Sequence, residues 1–135
     1  MANTVVYKSS IQYTPPAAPT NSGIASFILQ ASYSAQQVGN ISVVSGTAPA
    51  EEYSIDFGSV TVVKMLAIRN LTSADINIEI NGVVTSLISM PPRAEIIYMT
   101  PIAATTGTHP IVSAKAIILV AATADESIQT WVMGD

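Results

Sequence analysis

The sequence contains no cysteine. Neither a disulfide framework nor a zinc-thiolate site can form without it. The absence of cysteine is compatible with both an oxidising and a reducing compartment. A chain of 135 residues buries enough surface as one domain to fold without such cross-links.

Long apolar runs and targeting patterns are also lacking. The longest apolar run, residues 116–122, is too short to cross a bilayer as a helix. The first eight residues have no basic region followed by an apolar core, so no signal peptide is indicated. We therefore expect a soluble protein that is made in the cytoplasm and has no contact with a membrane.

Charge is scarce. Charged residues make up 10% of the chain against about 25% in typical proteins, while 49% are hydrophobic and the mean hydropathy is +0.44. Interface centres are depleted in charge, which favours a surface that meets other protein. The alternative is that Ser, Thr, Asn and Gln solvate the surface.

A net charge of −4 with five basic residues argues against direct nucleic-acid binding.

Groups suited to catalysis or metal binding are few. His109 is the only histidine, and proline follows it in a polar loop, so we interpret it as a loop residue. The acidic pairs Glu51-Glu52 and Asp125-Glu126 lack the run of oxygen ligands that a calcium loop needs. No Gly-x-Ser-x-Gly elbow or glycine-rich phosphate motif occurs. We expect no enzyme activity, no cofactor and no metal site.

Residues 75–88 predict a β-hairpin. Ile76, Ile78 and Ile80 alternate with polar residues, which places them on one face of a strand. Asn81-Gly82 supplies the two positive-φ residues of a type I′ turn. With that two-residue turn, Ile80 would pair with Val83, Ile78 with Thr85 and Ile76 with Leu87. The apolar face must lie on a second layer, which indicates sheet-on-sheet packing.

The remaining pattern predicts an all-β chain. Apolar and polar residues alternate in 25–33 and in 126–133, as they do in strands with one buried face. The run from Val60 to Arg69 is apolar on both faces, which suits a central strand. Turn signals separate these segments. Gln36 to Asn40 reads as a turn, and no window has helical periodicity. We predict a β-sandwich of about eight or nine strands, jelly-roll-like in architecture, over residues 24–135.

Residues 1–23 predict an extended arm that contains prolines. Its apolar side chains allow a short strand near the start, and docking on a neighbouring subunit would repay the entropy of ordering them. An arm folded back as the edge strand of its own domain is the alternative. The candidate interface residues of the arm are Val5, Tyr7, Ile11, Tyr13, Pro15 and Pro16.

Trp131 is the only tryptophan and lies in the predicted last strand, on the face opposite Ile128 and Val132. We assign it to an interface or to the core. The alternative is a sugar-stacking platform, because aromatic side chains on β-sandwiches can stack on glycans.

Four segments carry a resemblance to a known group of proteins: the run Val63 to Thr72, the Asn81-Gly82 hairpin, Met90-Pro91-Pro92-Arg93-Ala94-Glu95, and Ser127 to Gly134. Their order resembles that in small β-sandwich structural proteins of tailed bacteriophages, which include capsid decoration proteins and head or tail fibre domains. The resemblance covers a little over half of the chain. No catalytic or binding residue is carried over with it.

The resemblance implies a virion component, trimeric or arrayed by symmetry, whose arm reaches a neighbour and whose partners are the major capsid protein or a tail protein. The leading hypothesis is capsid decoration and stabilisation by bridging neighbouring subunits. The alternatives are a tail, baseplate or fibre component, a glycan-binding module, and a hydrolase with His109 as base.

Overall fold

A computed structural model describes residues 3–13, 23–84, 87–99 and 111–135, and for 10–13 and 23–27 the description is of the backbone. These residues form ten strands and no helix, in two four-stranded sheets and one two-stranded sheet, so the predicted all-β class is confirmed. The strands are β1 (Asn3–Tyr13), β2 (Gly23–Tyr33), β3 (Ala35–Val43), β4 (Glu52–Ser54), β5 (Val63–Asn70), β6 (Ile76–Ile80), β7 (Leu87–Met90), β8 (Glu95–Met99), β9 (Ala114–Ile118) and β10 (Glu126–Gly134).

Strands β3 to β10 pair in a nested order. The first of them pairs with the last, β3 with β10, and then β4 with β9, β5 with β8 and β6 with β7, all antiparallel. Pairing of β10 with β5 and of β9 with β6 completes two sheets, ordered β3-β10-β5-β8 and β4-β9-β6-β7. We call these the first and the second sheet. As predicted, β5 is a central strand.

The hydrophobic core lies between the two four-stranded sheets, so the body of the protein is a β-sandwich, as predicted. Ile68, Ile128 and Val132 come from the first sheet, and Ile76 and Ile118 from the second, and all five are fully buried. Burial alternates along β9 and β10 and is nearly continuous in β5, and in β6 the alternation is broken only by the buried Glu79. The alternation in the sequence therefore identified the faces that meet.

The hairpin turn is as predicted, but the predicted strand register is wrong. Asn81 and Gly82 have φ of 56° and 70°, and Val83 N donates to Ile80 O at 3.1 Å, as a type I′ turn requires. However, β7 begins only at Leu87, so Met90 rather than Leu87 lies opposite Ile76. Thr85 lies outside the described residues.

The Asn81 side chain explains why the turn does not close a tight hairpin. Asn81 Oδ1 accepts hydrogen bonds from Val112 N at 2.8 Å and Ser113 N at 3.1 Å, and Asn81 N donates to Ser113 O at 2.9 Å. The turn is thus fastened to the chain leading into β9, and the chain continues past it before pairing resumes. Met90 is buried as a result, and Leu87 lies exposed opposite Glu79.

Residues 36–40, predicted as a turn, lie inside β3, so that prediction is wrong. The chain instead bends at Ser34. Gly39 faces Thr130 on β10 so closely that an added Cβ would lie 2.5 Å from Thr130 Oγ1. The glycine therefore marks a close approach of paired strands, and a sequence pattern cannot tell that from a turn glycine.

Strands β1 and β2 form a sheet of their own, which we call the N-terminal ribbon. They pair along their whole length, from Asn3 opposite Tyr33 to Tyr13 opposite Gly23. The ribbon thus contains residues on both sides of the predicted boundary between the arm, residues 1–23, and the β-sandwich domain, residues 24–135. That domain boundary stays a prediction. Pro15 and Pro16 lie outside the described residues.

Candidate interaction surfaces

Trp131 lies on the outer face of the first sheet, turned away from the inter-sheet core. Residues paired directly across antiparallel strands point to the same side, and Trp131 pairs with Val38 on one side and Ala67 on the other. Ala67 pairs in turn with Ile97. Met133, Met65 and Met99 form the next row. We call these seven side chains the tryptophan face.

A polar row borders the tryptophan face and carries no net charge. Arg69 and Glu95 are paired across β5 and β8, and Arg69 Nε and Nη2 donate to Glu95 Oε2 at 2.9 and 2.8 Å. The Arg69 guanidinium carbon also lies 5.7 Å from the centroid of the Trp131 ring, a cation–π distance. Arg69 therefore packs against the indole ring from one side, and Glu95 neutralises the charge of the Arg69 guanidinium.

Part of this outer surface is buried without belonging to the inter-sheet core. Ala31 of β2 and Met65 and Ala67 of β5 are buried, but none is a member of the core cluster between the sheets. Strand β2 lies against β5 and β10. The tryptophan face thus borders the base of the ribbon, while Val38 at its other side is 58% exposed.

The ribbon has one apolar and one more polar face. Val5 pairs with Ala31 and Tyr7 with Leu29, so these four side chains share a face, and all are half-buried or buried. Val6, Lys8, Ile28 and Gln30 lie on the opposite face and are exposed. Ile11 and Tyr13, predicted as interface residues, belong to β1 and lie opposite Ala25 and Gly23 in the backbone pairing.

The end of β10 anchors the base of the ribbon. Ser34 N donates to Gly134 O at 2.9 Å, and Ser34 Oγ donates to Asp135 Oδ1 at 3.1 Å. Lys64 Nζ donates to Ser32 O at 2.8 Å and forms an ion pair with Asp135. The ion pair of Lys64 and Asp135 therefore joins the ribbon both to β5 and to the residue that follows β10. The sequence did not predict this role, because it depends on residues about 30 to 100 positions apart.

The ion pair predicts a pH dependence at low pH. The hydrogen bond from Lys64, supported by Ser34, lowers the pKa of the Asp135 carboxyl from its ordinary value of 3.8. A lowered folded-state pKa stabilises the folded chain at pH above 3.8, and this contribution is lost as pH falls through the folded value. In Asp135→Asn, we expect stability to vary less with pH below about 3.8. Urea unfolding of both proteins between pH 2 and 6 measures this, and parallel pH profiles would contradict it.

Strand β7 presents an uncharged edge. It is the last strand of the second sheet, its sequence is Leu-Ile-Ser-Met, and Leu87 and Ile88 are exposed. Edge strands usually carry charges or proline that block pairing with another chain. An apolar edge without them is suited to strand addition.

A charged cluster lies on the outer face of the second sheet. Lys115 Nζ is 2.9 Å from Glu52 Oε2 and 3.2 Å from Glu79 Oε1, and Glu79 is only 3% exposed. Hydrogen bonds to Glu52 and then to Glu79 raise the pKa of Lys115. A cleft of about 210 Å³ lies beside them, lined also by Ser54, Gly82 and Ser113. Burial of a carboxylate needs such a cation, so the cluster has a structural role.

The acidic pairs from the sequence do not come together. Glu52 belongs to the Lys115 cluster, whereas Asp125 Oδ1 accepts a hydrogen bond from Ser45 N at 2.7 Å, and Glu126 accepts one from Ser73 N. The described residues contain no group of three or more His, Asp or Glu arranged to hold a metal ion. His109 lies outside them.

Comparison with protein-family models, with curated proteins and with solved structures found no match. Within the described part of the chain, no helix has the length and hydropathy to cross a bilayer.

Proposed function

We propose that this chain is a non-enzymatic structural protein of a tailed-phage particle, one that decorates the capsid and stabilises it by bridging neighbouring shell subunits. The nested pairing of β3 to β10 supports a jelly-roll connectivity. Jelly rolls of eight strands in two sheets recur in viral capsid and lectin domains. Fold alone does not assign function, so the surface has to carry the argument.

The observation that carries the proposal is a surface with many apolar side chains and few free charges. Three of the five cationic side chains, Lys64, Arg69 and Lys115, are engaged in ion pairs. Large hydrophobic side chains are exposed on the ribbon, on β3, on β7 and β8, and in the loops of the body. Exposed apolar side chains mark sites of protein–protein contact where they form large patches, so side chains of this kind, together with few free charges, support a surface that meets other protein.

The mechanism follows from two of these surfaces. The edge of β7 can add a strand from a shell subunit, because its unpaired backbone groups are flanked by Leu87 and Ile88 and carry no charge. Apolar burial elsewhere would hold a second subunit. A protein that contacts two subunits at once resists their separation when the packaged genome presses outward.

Cryo-microscopy of the particle whose genome encodes the chain tests the proposal. We expect density for the sandwich on the outside of the shell, at positions where subunits meet. Its presence only in the tail would favour the tail, baseplate or fibre alternative. Its absence from the particle would refute the proposal.

A matched pair of variants tests the strand edge. Ile88→Lys places a charge on β7, whereas Val120→Lys places one in the loop between β9 and β10, where the side chain is also exposed. We expect Ile88→Lys to reduce binding to undecorated particles at least about tenfold, since a charge on an edge opposes strand addition. Equal binding of both variants would exclude the β7 edge as the contact.

A further inference from the structure

The turn between β6 and β7 contains the only Asn-Gly pair of the sequence, Asn81-Gly82. We infer that Asn81 is a latent deamidation site, which reacts only when the turn is released from the segment that leads into β9. Asn-Gly pairs lose the side-chain amide readily, because glycine leaves its backbone nitrogen unhindered. The inference goes beyond the proposed function and does not depend on it, because it concerns the chemistry of the purified chain.

The reaction would join the Asn81 side chain to the backbone. Gly82 N attacks Asn81 Cγ and closes a five-membered imide. The bond from Cγ to Nδ2 then breaks, and Nδ2 leaves as ammonia with the proton that Gly82 N loses. Water opens the imide at either of its two carbonyl carbons. Opening at Cγ gives aspartate, and opening at the main-chain carbonyl carbon gives isoaspartate, in which the chain continues through Cγ.

The folded turn holds the two reacting atoms apart. Asn81 and Gly82 have φ of 56° and 70°, as in a type I′ turn, in which ψ of the first central residue is about +30°. The imide ring is nearly planar, so Gly82 N must lie on the same side of the Asn81 Cα–C bond as Cβ. A ψ of about +30° puts this nitrogen nearly opposite to Cβ. Ring closure therefore requires the Asn81 backbone to leave the turn conformation.

Contacts with the chain before β9 fix that conformation. Asn81 Oδ1 accepts hydrogen bonds from Val112 N at 2.8 Å and Ser113 N at 3.1 Å, and Asn81 N donates to Ser113 O at 2.9 Å. Two amide donors would stabilise negative charge on Oδ1 during an attack on Cγ. They cannot speed the reaction while Gly82 N is out of reach. The rate should therefore follow how often the turn separates from residues 112–113.

Steric cover does not protect the site. Gly82 is exposed, and apart from its chain neighbours no described residue places an atom within 4 Å of a Cβ added to it. Water can reach the turn, so backbone conformation is the barrier to reaction.

The two products differ in how they fit the fold. Aspartate leaves the main chain unchanged, and its carboxylate can accept the same two hydrogen bonds in charge-assisted form. Isoaspartate adds a methylene group to the main chain between residues 81 and 82. The chain can then no longer form the two-residue turn that Val83 N closes onto Ile80 O. Isoaspartate formed in the released turn should prevent the turn from closing again.

Timed peptide mapping of the full chain tests the inference. Wild-type protein is incubated at mildly alkaline pH, either folded or unfolded in urea, and conversion of Asn81 to aspartate and isoaspartate is followed by mass spectrometry. We expect conversion at least about tenfold slower in the folded chain, because release of a hydrogen-bonded turn costs free energy. Equal rates in the folded and the unfolded chain would overturn the inference.

A pair of proline variants tests whether the contacts before β9 control the rate. Val112→Pro removes one N–H donor to Asn81 Oδ1, whereas Val120→Pro makes the same change in the loop between β9 and β10. The wild-type side chains are 64% and 55% exposed. We expect folded Val112→Pro to react about fivefold faster than wild type, the factor to which one lost hydrogen bond corresponds. Val120→Pro should react at the wild-type rate, and equal rates for both variants would contradict the assigned control.

Hydrogen exchange of the wild type keeps the inference testable if circular dichroism shows that Val112→Pro unfolds. The Val112 and Ser113 amides exchange through the same opening that frees Asn81. Their protection factors should therefore agree, within about tenfold, with the factor by which folding slows conversion of Asn81. Amides that exchange freely in a chain that still resists deamidation would refute the role of these contacts.

Discussion

Replacement of Asn70 by alanine should lower the free energy of unfolding by about 3–5 kcal/mol, a loss seen when several buried polar groups lose their partners together. Asn70 is fully buried at the end of β5. Its Nδ2 donates to the carbonyl oxygens of Ala74, Met90 and Pro91 at 2.9, 3.2 and 3.1 Å. Its Oδ1 accepts from Thr72 N at 3.0 Å and Thr72 Oγ1 at 2.7 Å.

These five hydrogen bonds join the end of β5 to the turn before β6 and to the proline turn after β7. Alanine would leave the buried Met90 carbonyl and Thr72 amide without this partner, and the part-buried Pro91 carbonyl would lose it as well. Urea unfolding at a fixed protein concentration measures the loss. The concentration must be fixed because self-association would stabilise the folded chain by mass action.

Two further variants identify the cause. Asn70→Asp keeps the shape but turns an oxygen toward carbonyls that need a donor, so at pH 7 it should be at least as destabilising as alanine. Asn40→Ala removes an exposed asparagine from β3 and should change stability by less than about 0.5 kcal/mol. Equal stability of Asn70→Ala and wild type would refute the role assigned to this amide.

The features that depend on strand periodicity were predictable from the sequence. Alternation in β6 and β10 identified the buried faces, the apolar run around β5 identified a central strand, and Asn81-Gly82 identified the turn. These patterns report which side of a strand meets an apolar layer, and the physics behind them is local.

The features that depend on distant partners were not predictable. Asn70 in the sequence looks like part of an ordinary turn, and only the fold brings Met90 and Pro91 against it. The register of β7 failed for the same reason, since the contacts of Asn81 with Val112 and Ser113 hold the turn away from a tight hairpin. Trp131 and Val38 become neighbours through pairing across about 90 residues of chain.

Gly134 joins the ribbon to the body, so its replacement by alanine should affect both stability and the ribbon. An added Cβ would lie 1.8 Å from Val62 O and 2.8 Å from Val62 C, which are backbone atoms with little freedom to move. The end of β10 would have to shift. We expect a loss of about 3 kcal/mol in the free energy of unfolding, at the upper end of what overpacking costs.

The shift would also break specific hydrogen bonds. Asp135 O accepts from Thr61 N and Val62 N at 2.7 Å each, and Gly134 O accepts from Ser34 N at 2.9 Å. Hydrogen exchange should therefore show faster exchange of these three amides in Gly134→Ala, under conditions where the protein is folded. Because Ser34 lies at the base of the ribbon, its amide reports the attachment of the ribbon directly.

Gly46→Ala is the matched control for this clash. Gly46 has φ of 85° and nothing within 4 Å of an added Cβ, so its replacement costs only the backbone conformation, about 1 kcal/mol. The Ser34 amide should keep its protection there, because Gly46 takes no part in the contact between β10 and the ribbon. If Gly134→Ala instead left Ser34 as protected as in Gly46→Ala, the end of β10 would not be what holds the ribbon on the body.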